Sequence, residues 1–454
     1  MSRPYLNDPY VKEVLFHIGI GITLYLFEPL SKLYFMIFMI YSLWWIITCP
    51  KAEKTRAVLI SCAYISGAEV LFRMTDGGIA YEASKYLVIL FMLMGMFFRG
   101  LSGKGYPYFF YLIALVPSIL VASMTLTFDA NFRTNIAFVL SGPVCLGIAA
   151  LFCYDRKVSH TLLHDLVKYL ALPSIAMTTY LFLYNPSIKD TLSGTASNAA
   201  TSGGFGPNQV STALGLGMFA IVVRLFLKSP SLFLKLLNLG ILGAMTFRAI
   251  VTFSRGGVVA AILVIAAFLW ILFLRSNTNQ KGNILGSFAL FCIAIAITWT
   301  ISSNQTYGLI DKRYANQDAQ GREKQDLTTG RIGLFMEEVD GFLSSPFLGI
   351  GASRVKNKRV EESGHHLPSH NELGRLLSEH GFLGILIILI LIIKPLSYFA
   401  ANKRNLFFYA FFAFWFATIN HSGMRIAAPA LLYALCLLNV IYENPAVHRQ
   451  LPAK

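Results

Sequence analysis

The chain has 454 residues, of which 55% are hydrophobic and only 13% charged, with a mean hydropathy of +0.58. A water-facing surface needs roughly twice that charged share, so an ordinary soluble domain is excluded and most of the surface must face lipid. The net charge of +15, from 38 Lys and Arg against 23 Asp and Glu, is then a topology signal, a means of binding anions, or both.

In chain order, the opening MSRPYLNDPYVKEV leads into an apolar stretch broken by His17 and Glu28, with no small-residue cleavage pattern. It reads as a retained first helix rather than a signal peptide. A bilayer needs about 20 mostly apolar residues per helix. Runs near that length lie at 13–27, 33–49, 57–72, 86–98, 108–128, 134–153, 169–184, 209–227, 232–253, 257–274, 284–303, 373–393, 405–420 and 426–442. The expected fold is all-α, a polytopic membrane helix bundle of about 14 (12–14) spans; the first, third and fourth runs are the weakest. Residues 1–303 carry about eleven of these helices, 304–370 form a periplasmic loop subdomain, and 371–454 hold the C-terminal spans. Cys49, Cys62, Cys145, Cys153, Cys292 and Cys436 all lie in or beside apolar runs without a C-x-x-C pair, and read as small buried hydrophobes.

Cytoplasmic loops carry the excess of Lys and Arg. One set of connections and tails holds 19 of them: Arg3, Lys12, Lys51, Lys54, Arg56, Arg99, Lys104, Arg156, Lys157, Lys168, Lys228, Lys235, Arg275, Lys281, Lys394, Lys403, Arg404, Arg449 and Lys454. The alternate short loops hold seven: Lys32, Arg73, Lys85, Arg133, Lys189, Arg255 and Arg425. Both termini are therefore expected in the cytoplasm, with the long polar segment from Asn304 to His370 on the opposite, outer side.

The polar residues on that outer side run against the charge bias and need reasons. Before the span at 209–227, Ser202-Gly203-Gly204-Phe205-Gly206-Pro207-Asn208-Gln209 makes a glycine-rich turn that aims the Asn208 and Gln209 amides at the bundle's mouth. In Thr252-Phe253-Ser254-Arg255-Gly256-Gly257, a guanidinium stands in a tight turn beside the exposed N–H groups of a helix start. That is a site for a multiply charged anion such as a diphosphate; the bland alternative is an arginine reaching for headgroups. Within the long loop, Ile332, Phe335, Met336, Val339, Phe342 and Leu343 repeat at three and four residues, which predicts an amphipathic helix. Thr329 can cap its start, Arg331 sits in its first turn and Pro346 follows its end. It is expected to lie on the membrane surface or over a cavity, or merely to pack on the bundle. Arg354 and Arg425 are further outward candidates, with Arg313, Arg322 and Arg359 less well placed and the last two read as solvated ion pairs. Around Gly364-His365-His366-Leu367-Pro368-Ser369-His370-Asn371 the histidine spacing is a weak metal signal, and His370 is better read as a proton acceptor or hydroxyl-orienting group. Asn371, Arg375 and Glu379 follow at intervals of four and share a helical stripe, facing a cavity or pairing with one another.

Taken in order, Gly206-Pro207-Asn208-Gln209, Ser254-Arg255-Gly256-Gly257, Thr329-Gly330-Arg331, Ser345-Pro346-Phe347-Leu348-Gly349-Ile350-Gly351, His370-Asn371 and Glu379-His380-Gly381 resemble the O-antigen ligase and O-antigen polymerase superfamily of bacterial membrane glycosyltransferases. The resemblance covers about 200–390. It implies a GT-C-like protein of the bacterial inner membrane that uses a polyprenyl-diphosphate-linked glycan as donor on the periplasmic face, needs no divalent metal or other cofactor, and has lipopolysaccharide or other surface polysaccharide as its product. It implies further that Arg255 and Arg331 hold the diphosphate and that His370 acts on the acceptor hydroxyl. Asn208, Gln209, Arg354, Asn371, Arg375, Glu379 and Arg425 are the candidate substrate contacts. Phe335 stands where family members often carry a tryptophan. The acceptor, whether lipid A core, a second lipid-linked glycan or a protein hydroxyl, stays open. A lipid-linked glycan or anion transporter and a non-catalytic glycan-lipid scaffold are the readings from other classes; nucleic acid is not an expected partner.

Overall fold

The computed structural model describes residues 8–126, 131–324, 326, 330–364 and 369–442. Thr329, His365 and His366 lie outside these residues, as do Arg3, Arg449 and Lys454. The first eleven helices follow the expected runs: α1 (Pro9–Leu26), α2 (Leu30–Thr48), α3 (Lys54–Met74), α4 (Ala83–Arg99), α5 (Tyr106–Thr125), α6 (Phe132–Cys153), α7 (His160–Tyr184), α8 (Pro207–Leu227), α9 (Leu232–Ile250), α10 (Arg255–Arg275) and α11 (Thr278–Gln305). The long loop contributes α12 (Leu309–Tyr314), α13 (Arg331–Ser344) and α14 (Arg354–Ser363), and the chain continues through α15 (Glu372–His380), α16 (Phe382–Ala401), α17 (Phe408–Ile419) and α18 (Ala427–Leu435). Ten of the described helical segments are long and apolar enough to cross a membrane. With so many spans, this is a multi-pass membrane protein.

The expected count of about 14 (12–14) is matched at ten runs; at 405–420 the apolar helix, α17, has only 12 residues. The helices at the first and fourth runs, α1 and α4, fall outside those ten, whereas α3 is among them. The run at 373–393 is two helices, because the chain turns at Gly381 with φ +60°. Phe382 N–H donates to the Pro346 carbonyl at 2.7 Å in that break, and a side chain at Gly381 would collide with the 346–349 backbone. The run at 426–442 is the nine-residue α18 followed by a three-residue strand, β2 (Asn439–Ile441), paired in parallel with β1 (Lys157–Ser159). All of α18 is buried, so it is enclosed by protein and needs no bilayer-matching length.

Burial sorts the helices from core to rim. Of the apolar window in α3, 89% is buried, against 11% in α11. The weak hydropathy of α3 follows from its place: it buries Glu69 and closes with Arg73, which bonds Glu69 at 2.7 Å and Glu82 at 3.2 Å, while Lys85 bonds Glu82 at 2.6 Å. Arg73 and Lys85 are thus buried ion-pair members at helix ends rather than loop cations. Four of the cysteines are buried as expected, Cys49 is partly covered and Cys292 is exposed on α11.

Candidate active site

Where α7 and α9 finish and α8 and α10 begin, glycines let the backbones close up. A side chain at Gly257 would strike Ser211 of α8, and one at Gly256 would meet the His421 ring at 2.8 Å. The chain enters this point through Phe253, a non-glycine residue held at φ +57°; such strain persists where the surroundings fix it. Ser254 follows, donating to the Asn208 amide oxygen at 2.7 Å and accepting from Ser211 at 2.9 Å. These bonds tie the starts of α8 and α10 together and set Arg255 as the first residue of α10.

The loop supplies the opposite wall. Gly330, at φ +80° with its N–H on the Asp326 carboxylate, starts α13 and makes Arg331 its first residue. The apolar face of α13 runs as read from the spacing, with Ile332, Met336 and Leu343 more than half exposed. Past the helix, Gly349 and Gly351 (φ +75° and +97°) press the 345–351 turn onto α15 and α5, Ile350 N–H bonds Ser378 O at 2.9 Å, and Ala352 N–H bonds Ser118 O at 2.9 Å. This is why the Ser345–Gly351 and Glu379–Gly381 motifs occur together: each glycine leaves room for the other segment.

His370 precedes α15, whose first turn is capped by Asn371; its side-chain oxygen accepts from Leu373 N–H at 2.9 Å and Gly374 N–H at 3.2 Å. The neighbouring Ser369 is held twice. Its hydroxyl donates to Glu338 of α13, and its carbonyl accepts from Arg425 at 2.9 Å.

One cavity of about 590 Å³ collects Asn208, Arg255, Arg331, His370 and Asn371, together with Arg313 and Phe335. Arg313 donates its Nε–H to the Phe253 carbonyl at 3.1 Å. Burial, then the Arg255 and Arg331 charges, lowers its pKa; burial and then Arg255 does the same at Arg331. Three guanidiniums crowded against one another are a site that a polyanion would relieve. His421 is pushed down to about 4, by burial first and then by Arg331 and Arg425.

The remaining candidates lie off this chamber. Gln209 is buried and accepts from Arg73 at 3.1 Å; the same Arg73 nitrogen donates to the Arg425 carbonyl at 2.9 Å. Arg375 is sandwiched between Glu372 and Glu379, the latter at 2.5 Å, and Glu379 also accepts Ser353 N–H at 2.8 Å. Of the two options for the helical stripe, Asn371 lines the chamber, while Arg375 and Glu379 pair with each other and also line a separate pocket beside Arg425. Arg354 lines a different cavity of about 500 Å³ on the far side of α13 and pairs with Glu361 at 2.6 Å. Arg359, read from sequence as a solvated pair, is instead buried, pairing with Glu337 at 2.6 Å and lying 3.5 Å from Glu338. Arg322 does pair with Asp318 at the surface, at 2.7 Å.

Two residues of the site carry little signal in the sequence, Glu338 and Arg313. Glu338 is seven residues after Arg331, so an acid on the helix face shared with Phe335 and Phe342 was the available signal. Arg313 offered none beyond its charge.

The bundle is that of a multi-pass membrane protein with a cavity lined by Arg255, Arg313 and Arg331 at one end of its helices. Residues 240–389, the segment holding Arg255, Arg331 and His370, match the family model described as O-antigen ligase, which supports the resemblance carried by the motifs. The activity of that family is of the membrane glycosyltransferase kind. No curated protein matches the chain.

Proposed function

We propose that this protein transfers a glycan from a polyprenyl-diphosphate-linked donor to an acceptor hydroxyl at the periplasmic face, by a metal-independent single displacement. The observation that carries the proposal is the single cavity that gathers Arg255, Arg313, Arg331 and His370. The acceptor oxygen attacks the anomeric carbon of the first donor sugar while the bond from that carbon to the diphosphate oxygen breaks. The departing electron pair stays on the polyprenyl diphosphate, whose added charge is met by Arg255, Arg331 and Arg313. His370 takes the hydroxyl proton, held in place by the Asn371 cap and the double anchor on Ser369. Asn208 contributes an amide at the wall formed by α8. Gln209, Arg375, Glu379 and Arg425 act behind this wall as braces, and Arg354 belongs to the second cavity, on the acceptor's side of α13.

The test is transfer by the purified protein from polyprenyl-diphosphate glycan, offered lipid A core, a second lipid-linked glycan and a serine-bearing protein in separate reactions. One of these products should form, and Arg255→Ala, Arg331→Ala and His370→Ala should each lower the rate by about 10²-fold or more with expression intact. No product with any acceptor, or full activity of His370→Ala, would sink the proposal.

A further inference from the structure

One buried cation outside the chamber has no carboxylate partner among the described residues. Arg248, in the last turn of α9, is 1% exposed. Its two terminal nitrogens donate to the Asn185 and Thr201 carbonyls at 3.3 Å each, and its Nε is buried without a hydrogen-bond partner among the described residues. No described carboxylate lies within ion-pair distance of it, and its guanidinium lies 5.4 Å from the Phe182 ring. A buried charge left this way is costly unless something compensates it.

What it faces is a cleft of about 410 Å³ between α7, α9 and α11. One end is polar, with Arg248, Asn185 and Gln305 beside the stacked Phe182 and Phe247 rings; toward the start of α9 the lining is Ala244, Gly243 and Gly240. From Arg248 to Gly240 is eight residues of helix, about 12 Å along its axis. The glycines open the cleft rather than serve packing: a side chain at Gly240 would meet nothing within 4 Å, and one at Gly243 only the Thr298 hydroxyl at 3.4 Å. Since α11 is the least buried of the long apolar helices, this side of the bundle looks out into the membrane.

We propose that this cleft binds one anionic phospholipid, its phosphate on Arg248 and one acyl chain along Gly243 and Gly240. A lone guanidinium suits a single phosphate, in contrast to the three that share the chamber, and the polar-to-apolar gradient matches a headgroup above a tail. The inference stands apart from the transferase reading and needs no donor to test.

Full-length protein, stripped of lipid in detergent, is titrated with phosphatidylglycerol and read by native mass spectrometry. Parallel arms hold phosphatidylcholine, polyprenyl monophosphate or inorganic phosphate. Wild type should retain one phosphatidylglycerol in preference to phosphatidylcholine, and neither polyprenyl monophosphate nor inorganic phosphate should displace it at equal concentration. Arg248→Gln should bind it about ten-fold more weakly or worse. Gly240→Leu, which fills the tail end with room to spare and replaces a poor helix former, should do the same while folding as wild type; it decides alone if Arg248→Gln fails to fold. Wild-type retention by Gly240→Leu, or displacement by either competing phosphate, overturns the proposal.

Discussion

Arg313 holds the strained Phe253 carbonyl and faces the same chamber as Arg255 and Arg331, so it both shapes the entrance to α10 and adds charge. Arg313→Gln should lower kcat/KM by about ten-fold, less than Arg331→Ala, because its backbone bond can be kept while one of three charges is lost; a steady-state comparison of the two variants checks the order. His421 bears on stability instead. Its pKa in the folded protein, about 4, lies below the ordinary histidine value. The unfolded chain therefore takes up the proton first as pH falls, so this stabilising contribution is whole above about pH 6.5 and is lost on the way down to about 4. The amount is of order 3 kcal/mol. Thermal unfolding in detergent should show a falling transition temperature across that window, and His421→Gln should flatten it. Glu338 joins the two halves of the site, since its buried carboxylate receives the Ser369 hydroxyl beside His370 from the helix that begins at Arg331. Burial raises its pKa, opposed by that hydroxyl and by Arg359.

The break between α15 and α16 is the element on which the His370 segment depends. Gly349 and Gly381 approach each other's backbones with positive φ, so Gly381→Val adds both strain and a collision. We expect a loss of at least about 2–3 kcal/mol, read as a drop in the detergent-solubilised folded fraction, whereas Gly330→Ala, with nothing within 4 Å, should cost less. This break also shows where sequence reading stopped. Eleven helices and the amphipathic α13 were legible because period and hydropathy are local properties. The division at Gly381 was not, since a glycine in an apolar run is silent until the segment it admits, 345–351, is placed against it. Likewise Arg255, Arg331 and His370 stood out as cations or a histidine at membrane boundaries in short-range motifs. Arg375 looked the same in sequence, and only the carboxylates on either side, Glu372 and Glu379, mark it as internally paired.

Across the whole molecule the basic connections meet at one end. Arg99 donates to Lys51 O at 3.2 Å, Arg156 to Gly100 O at 2.7 Å and Arg275 to Lys403 O at 2.7 Å, while the chamber lies where the intervening helices turn. The charge reading assigns the basic end to the cytoplasm; reporter fusions after Lys403 and after Tyr307 should report cytoplasm and periplasm respectively, and the same side for both would reverse it. At this scale α18 stands out as the piece that follows all the helices around it in the chain. It is enclosed on all sides, its first N–H groups include Ala427 on the buried Glu69 carboxylate at 2.5 Å, and its strand closes against β1 some 280 residues upstream. Biogenesis therefore has a definite order: the earlier helices must enter the bilayer around a vacant centre, with Glu69 lacking one of its partners, until α18 leaves the ribosome and fills it. A chain stopped after Arg425 would retain all ten long apolar helices yet lack its middle, and we expect it to be inserted normally and then cleared by membrane proteolysis, which pulse-chase labelling would show.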